Sequence, residues 1–289
     1  MHIKEEIVYI INLLCHFFFR YRINVLSIDE TLIKVKKERK NVIRFGDGEF
    51  NLIQGRDIAY QRFNKQLSNR LEQILLSTTK SNLMICLPDI FNSLKKYTLP
   101  TEKFWLNNLR KNRKLFDRID TKKVYGNAFM TRPYMEMRDK SKSSGYFTLI
   151  KELWEDKDLL VVEGKYTRSG IGNDLYDNAK SIRRIVCPSE NAFSYLNQIE
   201  RAILKEKRNS MILLMLGPTA KIIVDDFDYL GNQIIDMGHI DTEYEWFQKG
   251  YKEKVKLDNK HTAEFNNDED IEPLYDSNYE SQVIKVIGE

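Results

Sequence analysis

The sequence contains few of the residues that build structural metal sites and disulfide frameworks. Only three cysteines, Cys15, Cys86 and Cys187, occur among 289 residues, and no two of them have the CxxC spacing. Zinc sites need clustered cysteines and disulfide scaffolds need paired ones, so the sequence argues against both classes. Isolated thiols near or inside apolar runs are typical of small buried hydrophobes, and we expect a reducing, cytoplasmic environment.

Long hydrophobic runs are also missing. The apolar stretch at residues 7–19 is interrupted by Asn12 and His16, and it is too short to span a bilayer. It lacks the basic start and small-residue cleavage site of a signal peptide. The stretch predicts an amphipathic helix that covers part of the core, or a helix docked shallowly on a membrane with Arg20 and Arg22 at the headgroups.

Proline and glycine are too scarce to mark a linker. The chain has 6 prolines and 13 glycines, and no repeat or low-complexity tract divides it. Because 42% of the residues are hydrophobic, the chain can bury a sizeable core. We predict a helical extension at 1–40, one α/β domain at 41–250 and a polar, acidic tail at 251–289.

The net charge of +4 is unevenly distributed. Residues 103–123 carry eight basic and two acidic side chains, whereas residues 257–289 carry nine acidic and two basic ones. The basic stretch could be a solvated helix face, or it could meet anionic lipid or a phosphorylated substrate. Phe104, Trp105 and Phe116 recur there at a helical spacing typical of core contacts, so we expect no nucleic-acid partner.

Short apolar runs alternate with helical patterns along the chain. Continuous apolar runs predict strands buried on both faces of a parallel sheet, at 41–45, 83–87, 158–163, 183–187, 211–216 and 233–236. Helical periodicity predicts helices between them, at 66–77, 101–118, 146–156, 190–207 and 219–230. This alternation is the signature of an α/β fold with a mostly parallel sheet flanked by helices.

Ligands in open α/β sheets bind outside the carboxyl ends of the strands, and four predicted strand exits carry unusual chemistry. The first reads "RFGDGEF", residues 44–50. Asp47 and Glu49, two residues apart, could hold a metal or act as a general base with its neighbour, or simply form a tight turn into a helix. Three further residues here are candidates for ligand contact: Arg44, Phe45 and Gly46.

The second exit begins "EGKYTRSGIGND". Gly164, Lys165 and Arg168 form a glycine-rich basic loop before a helix that Asn173 or Asp174 could cap. Free amides and cations before a helix are suited to a phosphate, although an ordinary surface loop has the same composition. The loop is neither a P-loop nor a GxGxxG fingerprint, so it implies neither ATP nor NAD.

The third exit, "LGPTAKI", places Gly217 at a strand end and Thr219 where it could cap the next helix. The Thr219 hydroxyl and the helix amides could bind a diphosphate, or the segment could be a plain strand-to-helix turn.

The fourth exit, "GHIDTEYEWF", combines His239, Asp241 and Glu243. In an extended backbone these three side chains share one face, where two carboxylates and an imidazole suit Mg²⁺ or Mn²⁺. Thr242 and Glu245 fit the spacing of a capping box, which predicts a helix start at the same place.

Together these exits resemble one family. The segments "RFGDGEF", "VVEGKYTRSGIGNDLYDNAKSIRRIVCPSENAF", "LMLGPTA" and "DMGHIDTEYEWF" occur in the order seen in the GT-D fold glycosyltransferases, over about residues 40–250. These are bacterial sugar-nucleotide enzymes of adhesin glycosylation and surface-polysaccharide assembly. The resemblance implies a Rossmann-like sheet, a UDP-sugar donor and a divalent metal, Mn²⁺ or Mg²⁺, held through a D-x-E motif.

The chain has two D-x-E matches, and the resemblance does not choose between them. We favour Asp241 and Glu243 as the metal site because His239 stands beside them, which leaves Asp47 and Glu49 for the donor or the acceptor hydroxyl. The reverse assignment stays open. Lys165, Arg168 and the amides near Thr219 would hold the diphosphate in either case.

The expected activity is metal-dependent transfer of a sugar, with glucose favoured, from a UDP-sugar to a glycan acceptor on a protein or lipid carrier. Two other functions remain open: a metal-dependent phosphohydrolase, and a non-catalytic module that binds a nucleotide or sugar. The basic stretch and the apolar start predict work in the cytoplasm, at the inner face of the membrane.

Overall fold

The apolar runs of the sequence form the buried strands of one sheet. In a computed structural model that describes residues 2–18, 21–77, 80–265 and 270–288, nine strands form: β1 (Asn24–Val25), β2 (Asn41–Arg44), β3 (Leu83–Leu87), β4 (Val124–Asn127), β5 (Asp158–Gly164), β6 (Ser181–Cys187), β7 (Met211–Met215), β8 (Ile234–Asp236) and β9 (Val283–Val286).

Helices connect these strands. Over the same described ranges they are α1 (His2–Phe18), α2 (Ile28–Glu38), α3 (Asp47–Ile53), α4 (Lys65–Ser77), α5 (Leu99–Lys111), α6 (Arg113–Phe116), α7 (Ser143–Lys151), α8 (Leu196–Glu206), α9 (Pro218–Asp226), α10 (Ile240–Gln248) and α11 (Ser277–Gln282). Short 3-10 helices precede α7 and α8, at Ala128–Thr131 and Ala192–Tyr195.

The strand order places a ligand-binding crevice near the middle of the sheet. The order is β1-β4-β3-β2-β8-β7-β5-β6-β9, and the strand pairings within it are parallel. From β2 the chain moves outward to β3 and β4, whereas β5 to β8 lie on the other side. The order therefore reverses between β2 and β8, which is where such sheets bind ligands.

All six predicted strands are present, and the predicted mostly parallel α/β sheet is confirmed. The three unpredicted strands lack a continuous apolar run. β1 has two residues, β9 is an edge strand with exposed side chains, and β4 contains Gly126. A Cβ at Gly126 would lie 2.4 Å from Cys86 Sγ, so close packing against β3 requires glycine there.

The predicted helix at 101–118 is divided into α5 and α6. Asn112 ends the first helix, and its side-chain amide donates to the Asn108 carbonyl at 3.0 Å. Asparagine favours such local bonds at helix ends, which explains the break.

The segments predicted to flank the domain both contribute strands to its sheet. β1, from residues 1–40, pairs with β4, and β9, from residues 251–289, pairs with β6. A buried cluster anchors the tail: Glu163 forms an ion pair with Arg184 at 2.6 Å and accepts a hydrogen bond from the Tyr279 hydroxyl at 3.1 Å. Both flanking segments therefore add strands to the sheet of the predicted domain at 41–250.

Helix α1 packs against α5 instead of entering the sheet. The Tyr9 hydroxyl donates to Glu102 at 3.4 Å, and the His16 ring bonds the Asn92 carbonyl at 2.9 Å. Among the described residues, no helix is long and apolar enough to cross a membrane. Of the two arginines predicted to reach headgroups, Arg22 is exposed and Arg20 lies outside the described residues.

Candidate active site

A cavity of about 1030 Å³ opens at the carboxyl ends of the central strands. Its walls come from the segments that follow β2, β3, β4, β5, β6, β7 and β8, and from part of the tail. The exits of β2 and β8 meet in its centre, where the strand order reverses. This is the expected position of a ligand site in such a sheet.

The turn after β2 carries two carboxylates: Asp47 faces the cavity, whereas Glu49 is held by hydrogen-bond and ion-pair partners. The Gly46 amide donates to Glu49 Oε2 at 2.8 Å, and Glu49 Oε1 lies 3.1 Å from Lys221 Nζ. Both oxygens of Glu49 are thus engaged. Asp47 is half-buried, lines the cavity and forms no ion pair within the described part of the chain.

Beneath this turn lies a buried network of alternating charges. Lys221 Nζ also lies 2.9 Å from Asp236 Oδ2, and Arg44 Nη2 lies 3.3 Å from Asp236 Oδ1. Burial alone would raise the pKa of Asp236, but Lys221 and Arg44 lower it overall, so the carboxylate stays ionised. Two cations balance the carboxylates of Asp236 and Glu49, so that of the two acidic residues in this turn Asp47 is the one available to a ligand.

The pKa of Asp47 is raised, first by burial and then by the nearby Glu49 carboxylate. Two acidic groups that disfavour each other's charge form a site that a cation would stabilise. The same shift would also suit a group that accepts a proton.

Two glycines at strand ends allow the side chains of Arg44 and Tyr60 to pack directly against the backbone. Gly238 has φ of 51°, and a Cβ there would lie 1.8 Å from Arg44 Nη2. Gly217 has φ of 52°, and a Cβ there would lie 2.7 Å from Tyr60 Cε2. Any larger residue would displace the guanidinium or the phenol ring from the cavity wall.

His239 lines the cavity within a group of three rings. Its ring stacks on that of His261 with centroids 5.7 Å apart, and Tyr60 meets both edge-on at 6.2 and 6.1 Å. Burial and the neighbouring His261 lower the pKa of His239 to about 3, so its imidazole is neutral at pH 7.

The second D-x-E motif does not reach the cavity. Helix α10 already begins at Ile240, so the predicted extended face shared by residues 239, 241 and 243 does not form. Asp241 is buried, where it pairs with Lys260 at 2.7 Å and accepts hydrogen bonds from the Gly170 amide at 2.7 Å and the Asn173 amide group at 2.9 Å. Asp241 therefore connects α10 to the loop after β5 and to Lys260 of the tail.

Glu243 is also engaged elsewhere. Its Oε1 accepts hydrogen bonds from the backbone amides of Tyr134 at 2.8 Å and Met135 at 2.7 Å. Neither Asp241 nor Glu243 lines the cavity, so their positions do not favour the metal assignment to the second D-x-E motif.

The capping box predicted from Thr242 and Glu245 is wrong. His239, not Thr242, occupies the N-cap of α10, and no side chain caps that position. Glu245 pairs instead with Lys249 at 2.6 Å and Lys260 at 3.1 Å.

Only some of the residues predicted to bind a diphosphate line the cavity. Gly164 and Gly217 line the cavity, but Lys165, Arg168 and Thr219 do not. Arg168 donates to the Asn259 and Glu272 carbonyls and so holds the tail. Thr219 is the second residue of α9 and is fully buried, so it neither caps the helix nor faces a ligand.

Phe45, Gly46 and Arg44 line the cavity as expected for ligand contacts. Sequence reasoning missed Lys221, Tyr60 and the tail residues His261 and Glu264. Lys221 was detectable in principle, because it lies one helical turn after Gly217 in the third exit motif.

The donor set suits a metal that is completed by a ligand. Among the described residues, no group of three or more His, Cys, Asp or Glu side chains could hold a metal ion. Mg²⁺ is often held by one or two carboxylates together with substrate phosphates. Asp47, with the unused lone pairs of Glu49, lines the cavity and fits that pattern, whereas Asp241 and Glu243 lie outside the cavity.

Residues 42–265 match a protein family described as "Glycosyltransferase GT-D fold". Two curated relatives are a probable glycosyl transferase Gly of Streptococcus gordonii, 48% identical over 91% of this chain, and the glycosyltransferase GlyD of Streptococcus pneumoniae serotype 4, 42% identical over 91%. The chain spans 39% and 32% of the lengths of these relatives.

Solved structures agree with this match. One, described as a highly conserved domain of unknown function 1792 with a distinct glycosyltransferase fold, is 47% identical and has a TM-score of 0.90, covering 92% of this chain and 96% of its own. Another, a glycosyltransferase of the same domain type from Streptococcus sanguinis, is 48% identical with a TM-score of 0.89, covering 92% of this chain and all of its own.

Proposed function

Because this chain belongs to the GT-D fold glycosyltransferase family, we propose that it transfers a sugar from a sugar-nucleotide donor to a glycan acceptor. One observation carries the proposal: where the strand order reverses, the Asp47 carboxylate lines the cavity directly above a buried network of balanced charges, and it forms no ion pair among the described residues. The relatives with glycosyltransferase names support the reaction class.

The proposed donor is a UDP-sugar, with glucose as the favoured sugar, and the proposed acceptor is a glycan on a protein or lipid carrier. A cavity of about 1030 Å³ is at the upper end of the range for small-ligand sites, which is consistent with space for a nucleotide-sugar and an acceptor group.

The proposed cofactor is Mn²⁺ or Mg²⁺, held by Asp47 and Glu49 together with donor phosphate oxygens. When bound, such a cation would neutralise negative charge on the departing diphosphate. Arg44 and Lys221 line the same wall and contribute fixed positive charge there, while Gly217 and Gly238 leave room in that wall for the Tyr60 ring and the Arg44 guanidinium.

We propose that the reaction takes place in the cytoplasm, on the inner side of the membrane. Cys86 and Cys187 are free and buried, as is expected in a reducing compartment.

Titration calorimetry tests the site assignment. UDP, with UDP-glucose alongside, is titrated into protein with Mn²⁺ and then with EDTA, using wild type, Asp47→Asn and, as a matched control, Asp241→Asn. We expect Asp47→Asn to weaken metal-dependent UDP binding roughly tenfold or more. Asp241→Asn should retain that affinity and lose stability instead, since Lys260 would lose a partner.

The outcomes separate the rival functions. Loss of binding in Asp241→Asn alone would return the metal to the second D-x-E motif. Retained Mn²⁺–UDP binding with lost transfer in Asp47→Asn would make Asp47 the base for the acceptor hydroxyl. Phosphate release without sugar transfer would favour a phosphohydrolase, and binding without turnover would favour a non-catalytic module. Absence of UDP binding under every condition would refute the proposed donor.

A further inference from the structure

Helix α1 is turned the opposite way from an ordinary surface helix. Its inward side is polar: Asn12 is buried, Tyr9 donates to Glu102, and His16 bonds the Asn92 carbonyl. A helix that only covered a core would bury its apolar side and expose these polar groups. The orientation of α1 is therefore not explained by burial within this chain.

The outward side of α1 is continuously apolar. Phe17 and Phe18 are 62% and 72% exposed, and no Asp, Glu, Lys or Arg occurs between Ile7 and Phe18. Eight large apolar side chains face outward: Ile7, Val8, Ile10, Ile11, Leu13, Leu14, Phe17 and Phe18. A contiguous patch of this kind on a soluble surface marks an interaction site.

Basic side chains flank this patch at both ends. Lys103, on α5, pairs with Glu6 at 3.4 Å and lies 5.2 Å from the Tyr9 ring centroid. At the other end, Arg22 follows four residues after Phe18, and Lys95 lies three residues beyond the Asn92 that His16 contacts. Both Arg22 and Lys95 are exposed.

Positive charge continues along α5, against which α1 packs, and into α6 beyond it. Four exposed basic residues follow Lys103 on α5 and α6: Arg110, Lys111, Arg113 and Lys114. The nearby acids are largely neutralised or buried, because Glu6 pairs with Lys103 and Asp89 pairs with Lys96, while Glu102 is buried. Lys103 and Lys96 are offset by these partners, so the net positive charge around the apolar patch comes from Arg22, Lys95 and the basic residues of α5 and α6.

We propose that α1 docks flat on an anionic lipid bilayer, with its outward apolar side in the interface and the flanking basic residues at the headgroups. An apolar helical side bordered by lysine and arginine is the pattern of interfacial helices. A two-fold contact between copies of this chain would instead place the basic flank of one copy near that of the other, which like-charge repulsion opposes.

Docking through α1 would orient the cavity. Helix α5, against which α1 packs, also lines the cavity with Thr101, Phe104 and Trp105. The cavity wall and the bilayer surface would then meet along α5, so the acceptor would be a membrane-anchored glycan. This last step rests on the proposed sugar transfer, whereas the docking itself does not.

Vesicle flotation tests the docking with the full chain. Vesicles of phosphatidylcholine mixed with phosphatidylglycerol are compared with phosphatidylcholine alone, at low and high salt. Leu14→Glu is compared with Leu204→Glu, which alters a leucine of similar exposure on α8, away from α1. We expect Leu14→Glu to lower the partition coefficient roughly tenfold or more, and Leu204→Glu to leave it unchanged.

Three results would overturn the proposal. One is equal loss in the two variants, and another is equal partition of wild type into neutral and anionic vesicles. The third is a concentration-dependent dimer in sedimentation that Leu14→Glu abolishes while no vesicle binding occurs. UDP calorimetry on Leu14→Glu keeps the two proposals distinguishable, because docking can fail while donor binding is intact.

Discussion

At the scale of single residues, the decisive feature is which charges are paired. Lys221 is nearly fully buried between Glu49 and Asp236. These two partners come from the exits of two different strands, so the sequence alone did not indicate that Lys221 pairs with them. Lys221 and Arg44 are engaged with those carboxylates, and Asp47 forms no ion pair among the described residues.

Replacing Lys221 with Met should destabilise the fold by about 3–5 kcal/mol, because it leaves buried carboxylates with too little positive charge. Urea unfolding measures the change. Lys34→Met, which removes an exposed pair with Glu38 at 3.9 Å, is the control and should leave the free energy of unfolding nearly unchanged. Equal effects of the two substitutions would contradict the role assigned to the network.

His239 should make stability depend on pH. Its pKa is lowered from 6.5 to about 3 in the folded chain, so the unfolded chain binds the proton more readily. Stability is therefore complete above pH 6.5 and falls as the pH decreases toward 3. His261, Glu264, Arg132 and Arg44 are the charged or titratable groups that act on it.

We expect His239→Gln to flatten the fall in unfolding free energy between pH 6.5 and 4, measured by urea titrations across that range. His2→Gln, near the amino terminus, serves as the control. An unchanged pH profile in His239→Gln would contradict a neutral, buried imidazole.

At the scale of elements, β4 and β3 approach each other closely because Gly126 has no side chain. A methyl group there would meet Cys86 Sγ at 2.4 Å and Met84 Sδ at 2.7 Å. Gly126→Ala should therefore destabilise the chain by about 1–3 kcal/mol through overpacking.

Gly145→Ala provides the matched comparison, because a Cβ at this glycine of α7 meets nothing within 4 Å. It should stabilise the chain by about 0.5–1 kcal/mol through helix propensity. Thermal unfolding of both variants checks the signs, and a stabilising Gly126→Ala would contradict the packing of β4 on β3.

At the scale of the whole molecule, the tail completes the cavity. His261 and Glu264 line it, and Arg132 pairs with Glu264 at 2.6 Å and with Glu136 at 2.9 Å. Lys254 forms ion pairs with the same two glutamates. The tail is thus fastened to the 3-10 helix after β4 and is part of the site.

Arg132→Met should loosen this part of the tail and weaken UDP binding, with faster proteolysis between residues 252 and 264. Arg118→Met, which removes an exposed pair with Glu72, should leave both readouts unchanged. If UDP affinity and the rate of proteolysis are unchanged in Arg132→Met, the ion pairs of Arg132 are not needed to hold the tail in place.

Sequence patterns were sufficient to predict the sheet and the edge of it where a ligand would bind. Apolar runs identify six central strands because strands buried on both faces must be apolar throughout, and the "RFGDGEF" exit falls where such sheets bind ligands. Edge strands, and β4 with its glycine, escaped prediction because they carry no such run.

Which of the D-x-E carboxylates faces the cavity depends on contacts between distant parts of the chain. Both D-x-E motifs look alike along the chain, and the difference is made by distant partners: Lys260 reaches Asp241, whereas Lys221 reaches Glu49 and leaves Asp47 facing the cavity. The tail likewise returns over more than a hundred residues, so that Tyr279 meets Glu163. Charge pairing depends on distance in space, which local sequence patterns do not contain.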